Sequence, residues 1–258
     1  MDGRDLARRQ RAGQRAFYAH VIAGARGARV EDLGGGVQAA VSPGAPDRSI
    51  MNAVLYEDRG EVARRIEELA ELYAAAGVRA WTVWVQPGDE ALAELLALAG
   101  HAFDGQTTQM GAALDELDLD GDDDLDLLHD PTWRLVGEIN DDAYRLPGDL
   151  AELLAPCADD ACRLWIARLD GHPAGCVVVR ASGGDAYVAL VATRPWARHR
   201  GLAGGLLRRA LRAARELGCE STTLEASAMG EPLYAALGYR PLGRYAFWER
   251  RDRGGLVT

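Results

Sequence analysis

The residues best suited to chemistry are Arg198, His199, Arg200, Gly201, Leu202, Ala203 and Gly204, within the stretch TRPWARHRGLAGGLLRRALRAARELG at residues 193–218. Leu202, Leu206, Leu207, Ala210, Leu211, Ala214 and Leu217 recur at helical spacing, which predicts an amphipathic helix with arginines on its other side. Gly201, Gly204 and Gly205 crowd its first turn, although each glycine costs about 1 kcal/mol of helix propensity against alanine. A helix start offers unpaired N–H groups and the positive end of the helix dipole. Glycines keep side chains out of the way of a phosphate or pyrophosphate seated there. Arg194, Arg198, Arg200, Arg208, Arg209, Arg212 and Arg215 occur with no acid among them, so the local field favours a small anion. The last four of these are expected to form a solvated helix face.

Two familiar phosphate-binding turns fit poorly. A P-loop needs a lysine after its glycines, and the chain contains no lysine. A dinucleotide-binding turn wants GxGxxG, whereas the glycines here stand at 201, 204 and 205.

The elements that must position this run alternate along the chain. GEVARRIEELAELYAAAG predicts a helix ending at Gly77, followed by a strand through VRAWTVWVQ, a helix in DEALAELLALAG and a strand in TTQMGAAL. Later come helices in DPTWRLVGEINDDAY and GDLAELLAPC and strands in CRLWIARLDG, PAGCVVVRA and AYVALVAT, the last leading into the glycine-opened helix. Strand CESTTLEAS, helix EPLYAALG and strand YRPLGRYAFWER complete the order. Alternation of this kind implies an α+β (α/β) mixed sheet flanked by helices. The acidic stretch DELDLDGDDDLDLLHD, Asp115 to Asp130, is the expected join. It gives an N-terminal domain over 1–117, a linker over 118–130 and a C-terminal domain over 131–258. LLALAGHAFDGQTTQM echoes LYAALGYRPLGRYAFW; laying Gly100 on Gly238 sets Leu96 opposite Tyr234, as a duplicated fold would.

Composition narrows the function. The 258 residues are 48% hydrophobic and 26% charged, ordinary for a folded domain. The net charge of -10 disfavours general nucleic-acid binding. No window approaches a membrane span and the start lacks the apolar core of a signal peptide, so a cytoplasmic location is expected. Cys157, Cys162, Cys176 and Cys219 lack metal-site spacing and are expected to be small apolar residues, with no metal bound.

The run from Arg198 to Ala203 resembles the R/Q-x-x-G-x-G/A signature of the GNAT superfamily, the acyl-CoA-dependent N-acyltransferases. VALVATRPW is similar to that family's fourth strand, and LYAALGYRPLGRY to its closing helix and strand; the resemblance covers residues 130–250 or so, in the right order. It implies two GNAT-like mixed-sheet domains, the first a degenerate copy whose EDRGEVARR keeps only one glycine of the signature.

The resemblance also implies roles. The backbone of Val191, Ala192 and Thr193 would pair with the pantetheine arm and polarise the thioester carbonyl. Arg198 opens the motif, and His199, Arg200, Gly201, Leu202, Ala203 and Gly204 would cradle the pyrophosphate. Tyr234 stands where family members keep a general acid, and Glu225 where some keep a general base. Tyr187 occupies another family position for the base but cannot serve in the same way, and Asp185 nearby is expected in a turn. An asparagine common after the fifth strand is missing from EASAMGEPLY. Asp141, Asp142 and Tyr144 are candidates to meet a cationic acceptor. The expected partners are acetyl-CoA as acyl donor and an amine of a small molecule, peptide or protein, with a homodimer left open and neither nucleic acid nor membrane. The alternative is a non-catalytic acyl-CoA-binding or sensory module.

Overall fold

The computed structural model describes residues 1–121, 124–146, 148–158 and 161–252; Asp122 and Asp123 of the acidic stretch and residues 253–258 of the expected C-terminal domain lie outside the described residues. In chain order the elements are α1 (Gly3–Gly24), β1 (Arg29–Asp32), β2 (Gln38–Val41), β3 (Ala53–Leu55), α2 (Arg59–Arg64), α3 (Ile66–Ala75), β4 (Ala80–Val85), α4 (Glu90–Leu98) and β5 (Ala102–Ala113). They continue through β6 (Asp126–Leu127), α5 (Trp133–Tyr144), α6 (Asp149–Leu154), β7 (Arg163–Leu169), β8 (His172–Ser182), β9 (Asp185–Thr193), α7 (Leu202–Glu216), β10 (Ser221–Ala226), α8 (Glu231–Leu237) and β11 (Arg240–Arg251). This is the mixed α/β class that the alternation implies.

The chain forms two compact units. Unit 1 comprises Met1–Gly24 and Thr108–Gly243. In its sheet, Thr108–Ala113 of β5 run antiparallel to β10, β10 is parallel to β9, and β9, β8, β7 and β6 follow as antiparallel neighbours. A parallel pair needs a crossover, and α7 supplies it. Its face of Leu206, Leu207, Ala210 and Leu211 is fully buried against Val177, Val188 and Leu224, where each such leucine contributes about 1.5–3 kcal/mol. Leu217, at the C-cap, is instead half exposed. Side chains alternate along a strand, so Tyr187, Thr223, Glu225 and Gln109 point away from α7. That opposite face carries α1, whose Gly13 lies so close to Tyr187 that an added Cβ would be 2.8 Å from the tyrosine Cβ.

Unit 2 comprises Ala25–Thr107 and the chain from Arg244 onward. Its β3 and β4 are parallel and joined by α2 and α3; β1, β2 and Ala246–Arg251 of β11 pair antiparallel around them. The core gathers Val54, Tyr73, Val83, Leu92 and Leu96. Strand, helix, parallel strand, helix, strand thus occurs in both halves of the chain. The matched helix ends agree closely. Gly100 and Gly238 both take positive φ, +87° and +106°, and both helices close with N–H bonds to the residues three and five back. Leu96 and Tyr234 are both buried. The expected single helix after Gly60 is broken at Arg65 (φ -108°, ψ 9°) into α2 and α3.

The expected boundary differs from the one observed. Residues 116–121 and 124–130 are not a free connector, because their leucines dock while their acids face out. Leu117 and Leu119 are buried in the core of unit 1, Asp118 N–H donates to Leu237 O, and Asp126–Leu127 pair with β7. Arg212, expected to be solvated, donates to Leu119 O at 2.5 Å. Unit 1 also takes in α1 and half of β5 from the first part of the chain. Among the described residues no helix is long and apolar enough to cross a membrane.

Candidate active site

Strands β9 and β10 pair only from Asp185–Val188 and Ser221–Leu224. Beyond that point Glu225 and Ala226 stay with Gln109 and Thr108 of β5, while β9 leaves with β8. The two strands splay, and the backbone of Ala189–Thr193 loses its β10 neighbour. A register shift opposite Cys176–Val178 drives the departure, with Leu190 in the left-handed region at φ +49°. A non-glycine residue there costs about 1–3 kcal/mol unless its surroundings hold it. They do: Leu190 O accepts from Cys176 Sγ at 3.2 Å and Asn140 Nδ2 at 3.5 Å. Burial pushes the Cys176 thiol up to about 12, so it stays a donor.

Val191, Ala192 and Thr193 lie on the splayed end of β9. Val191 O accepts from the Tyr144 hydroxyl at 3.4 Å, which brings the last residue of α5 to the mouth of the splay. Asp142 ion-pairs with Arg194 at 2.8 Å. Asp141 is corrected: only 4% exposed, it accepts from Ala151 N–H at 3.1 Å and so fastens α6 rather than facing an acceptor.

Arg198 donates to Ala143 O at 2.6 Å and Thr193 O at 3.3 Å, so its charge ties the turn to the end of α5. His199 (φ +60°) and Gly201 (φ +78°) then both adopt left-handed conformations as the chain turns into Leu202, Ala203 and Gly204 of α7. At Gly201 an added Cβ would meet nothing within 4 Å, so conformation and outside access, not packing, call for glycine. At Gly204 the nearest atoms, Arg208 Nη1 and Leu233 Cδ1, would lie at an ordinary 3.6 and 3.7 Å. Gly204→Ala is therefore expected to raise the thermal midpoint by about 2–4 °C, through helix propensity alone. A lowered midpoint in a melting experiment would contradict this.

Tyr234 is 6% exposed and packs edge-on against Tyr239 at 5.8 Å between ring centroids. Among the described residues nothing hydrogen-bonds its hydroxyl, whereas buried tyrosines ordinarily find a partner. Burial first, then Tyr144 and Glu225, lifts its pKa above the ordinary value and keeps it protonated. Tyr144 and Glu225 are thus electrostatic neighbours of Tyr234.

Glu225 accepts from the Tyr187 hydroxyl at 2.5 Å and from Gln10 Nε2. Burial raises its carboxyl from 4.5 to about 8, against the lowering effect of Tyr187 and a backbone donor. Tyr187, set aside as a base, is thus the base candidate's hydrogen-bond donor. Asp185 is corrected too. It begins β9, 3% exposed, and holds Ser221 Oγ and Thr223 Oγ1 at 2.6 Å each. Within EASAMGEPLY, which lacks the asparagine, Ser227 Oγ accepts from Gly230 N–H at 3.2 Å in the turn before α8. Sequence reading missed Gln10, Gln109, Asn140 and Cys176. The available signal was polar residues recurring on otherwise apolar faces.

The splayed end of β9 leads through the turn at Arg198–Gly201 into the glycine-opened start of α7, and Glu225 follows the last residue of β10 that pairs with β9. Residues 126–239 match the model of the acetyltransferase (GNAT) family. Over the whole chain the fold is similar to that of a GCN5-related N-acetyltransferase from Kribbella flavida, with a TM-score of 0.66, 18% identity and 96% of each chain covered. A tandem GNAT protein from the clavulanic acid biosynthesis pathway matches with a TM-score of 0.60 at 17% identity, covering 85% of this chain and 79% of that one. A GCN5-related N-acetyltransferase from Sphaerobacter thermophilus gives a TM-score of 0.60, 16% identity and coverage of 88% and 84%. No curated protein matches the sequence.

Proposed function

We propose that unit 1 transfers an acetyl group from acetyl-CoA to an amine of a small molecule, peptide or protein by direct attack, in the cytoplasm. The observation that carries this reading is the splay after Val188 and Leu224, with Glu225 the next residue of β10 and Tyr234 electrostatically coupled to it. The backbone N–H groups from His199 to Gly204 would hold the pyrophosphate at the positive end of α7. The backbone of Val191–Thr193, on the edge that has no β10 neighbour, would align the pantetheine arm and polarise the thioester carbonyl. Glu225, ionised, takes the proton that the attacking amine must lose as its nitrogen bonds the acetyl carbon. The C–S bond then breaks, and Tyr234 gives its proton to the departing thiolate. Asp142 and Tyr144 flank the approach of the acceptor.

Binding is tested by calorimetry with acetyl-CoA and turnover by product formation over a panel of amines. Heat of binding without any product would favour the non-catalytic module; a flat titration would remove both readings. Gly201→Val forces a β-branched side chain into positive φ. It is expected to weaken acetyl-CoA binding about tenfold or more, the worth of one lost charge-assisted hydrogen bond.

The pH dependence follows from Glu225. As base it must be ionised, so kcat/KM should climb with pH and level off above about 8. Its folded pKa lies above its unfolded value, so its contribution to stability is complete below about 4.5 and is lost as pH rises through about 8. Glu225→Gln should flatten both trends, as rate profiles and denaturant titrations across this range would reveal.

A further inference from the structure

Helix α1 turns a face toward the sheet of unit 1 that mixes Leu6, Phe17 and Val21 with Gln10 and Gln14, all buried. Leucine at position 10 would satisfy packing, yet the side chain there is an amide, 0% exposed. Gln10 sits between two polar groups of the sheet: its Nε2 donates to Glu225 Oε1, and its Oε1 accepts from Gln109 Nε2 at 2.5 Å. Gln109, 1% exposed, also donates through Nε2 to Ala7 O at 3.3 Å.

We propose that Gln10 is a positioning residue for Glu225, with Gln109 fixing which end of the Gln10 amide meets the carboxylate; the inference rests on reading Glu225 as the base. A backbone carbonyl only accepts, so Ala7 O demands the NH₂ end of Gln109. With that nitrogen also donating to Gln10, the oxygen of Gln10 is committed and its NH₂ must face Glu225. The order is thus set from a main-chain atom, with no alternative flip. The Tyr187 hydroxyl takes the other carboxylate oxygen at 2.5 Å, so the carboxylate plane is held at both ends. Gly13, one turn further along α1, permits the close approach that Gln10 needs.

The groups facing Glu225 are tyrosines: Tyr18 from α1, Tyr187 from β9 and Tyr234 from α8. From β5 comes only the neutral Gln109. Arg9 of α1 is turned toward Asp5 and Ser221. Among the described residues no arginine pairs with the carboxylate, so neutral donors alone oppose its burial.

The test is a carbon-13 NMR titration of glutamate side-chain carboxyls in the full chain, with the Glu225 signal identified by its loss in Glu225→Gln. Gln10→Met keeps the volume and removes the donor. It is expected to move the Glu225 midpoint up by about one to two pH units, the effect of one lost hydrogen bond to a charged group. Gln109→Met leaves Gln10 free to flip and should move it the same way by less; should Gln10→Met fail to fold, this variant decides. Unchanged midpoints in the folded variants overturn the proposal. A kcat/KM profile that keeps its acid limb in Glu225→Gln instead removes Glu225 as the base. The NMR midpoint reports on Gln10 separately from that failure.

Discussion

Tyr234→Phe is expected to lower kcat at least tenfold, and up to the roughly 10²–10⁴-fold that a positioned acid supplies, while acetyl-CoA affinity stays within about twofold. The hydroxyl has no protein partner among the described residues, so its removal strands no buried group and leaves the packing against Tyr239 intact. The loss would therefore fall on chemistry. Tyr239→Phe is the internal control: its hydroxyl bonds Thr222 Oγ1 at 2.8 Å, so that change should cost about 1 kcal/mol of stability and little rate. Steady-state kinetics beside thermal melts would separate the two. Equal rates in Tyr234→Phe and the parent would take the tyrosine out of the mechanism, and the thiolate would then have to draw its proton from water.

The second large effect concerns the chain cut at the acidic stretch. A fragment of residues 131–258, the domain as the sequence outlines it, is expected to show no cooperative unfolding and no acetyl-CoA binding. It lacks Thr108–Ala113, so all six residues of β10 lose their antiparallel partners. It also lacks α1, which covers the face bearing Tyr187 and Glu225, and Leu117 and Leu119, which fill the core around α7. Each loss exposes apolar surface or strands buried polar groups, and stabilities of only about 5–15 kcal/mol cannot absorb several together. A sharp calorimetric transition in the fragment would show that unit 1 stands without them.

Local features were legible and non-local ones were not. The arginine-glycine run stood out because backbone conformation at Gly201 and apolar spacing along α7 are encoded within a few residues. Tyr234 was found through its glycine turn, another local device. Helix α1 was missed because Gln10, Gly13 and Gln14 interrupt its buried face, so the apolar period that marks a helix is broken by the very residues that reach Glu225. Strand partners are set by the whole fold. Following the order of each half, β5 would return beside β4 and β11 beside β10. Instead β10 has β5 as its antiparallel neighbour and β4 has β11. Asp141 misled for a related reason: a carboxylate near a helix end looks solvated until the next helix presents Ala151 N–H to it.

That exchange of strands has a consequence for biosynthesis. When a ribosome has delivered the first hundred or so residues, β4 still awaits Ala246–Arg251, which are translated much later. The usual vectorial order, in which an early domain matures while the later one is still being translated, is closed to this chain. The nascent first half must be kept from aggregating until β11 emerges, and both units would then mature almost at the same moment.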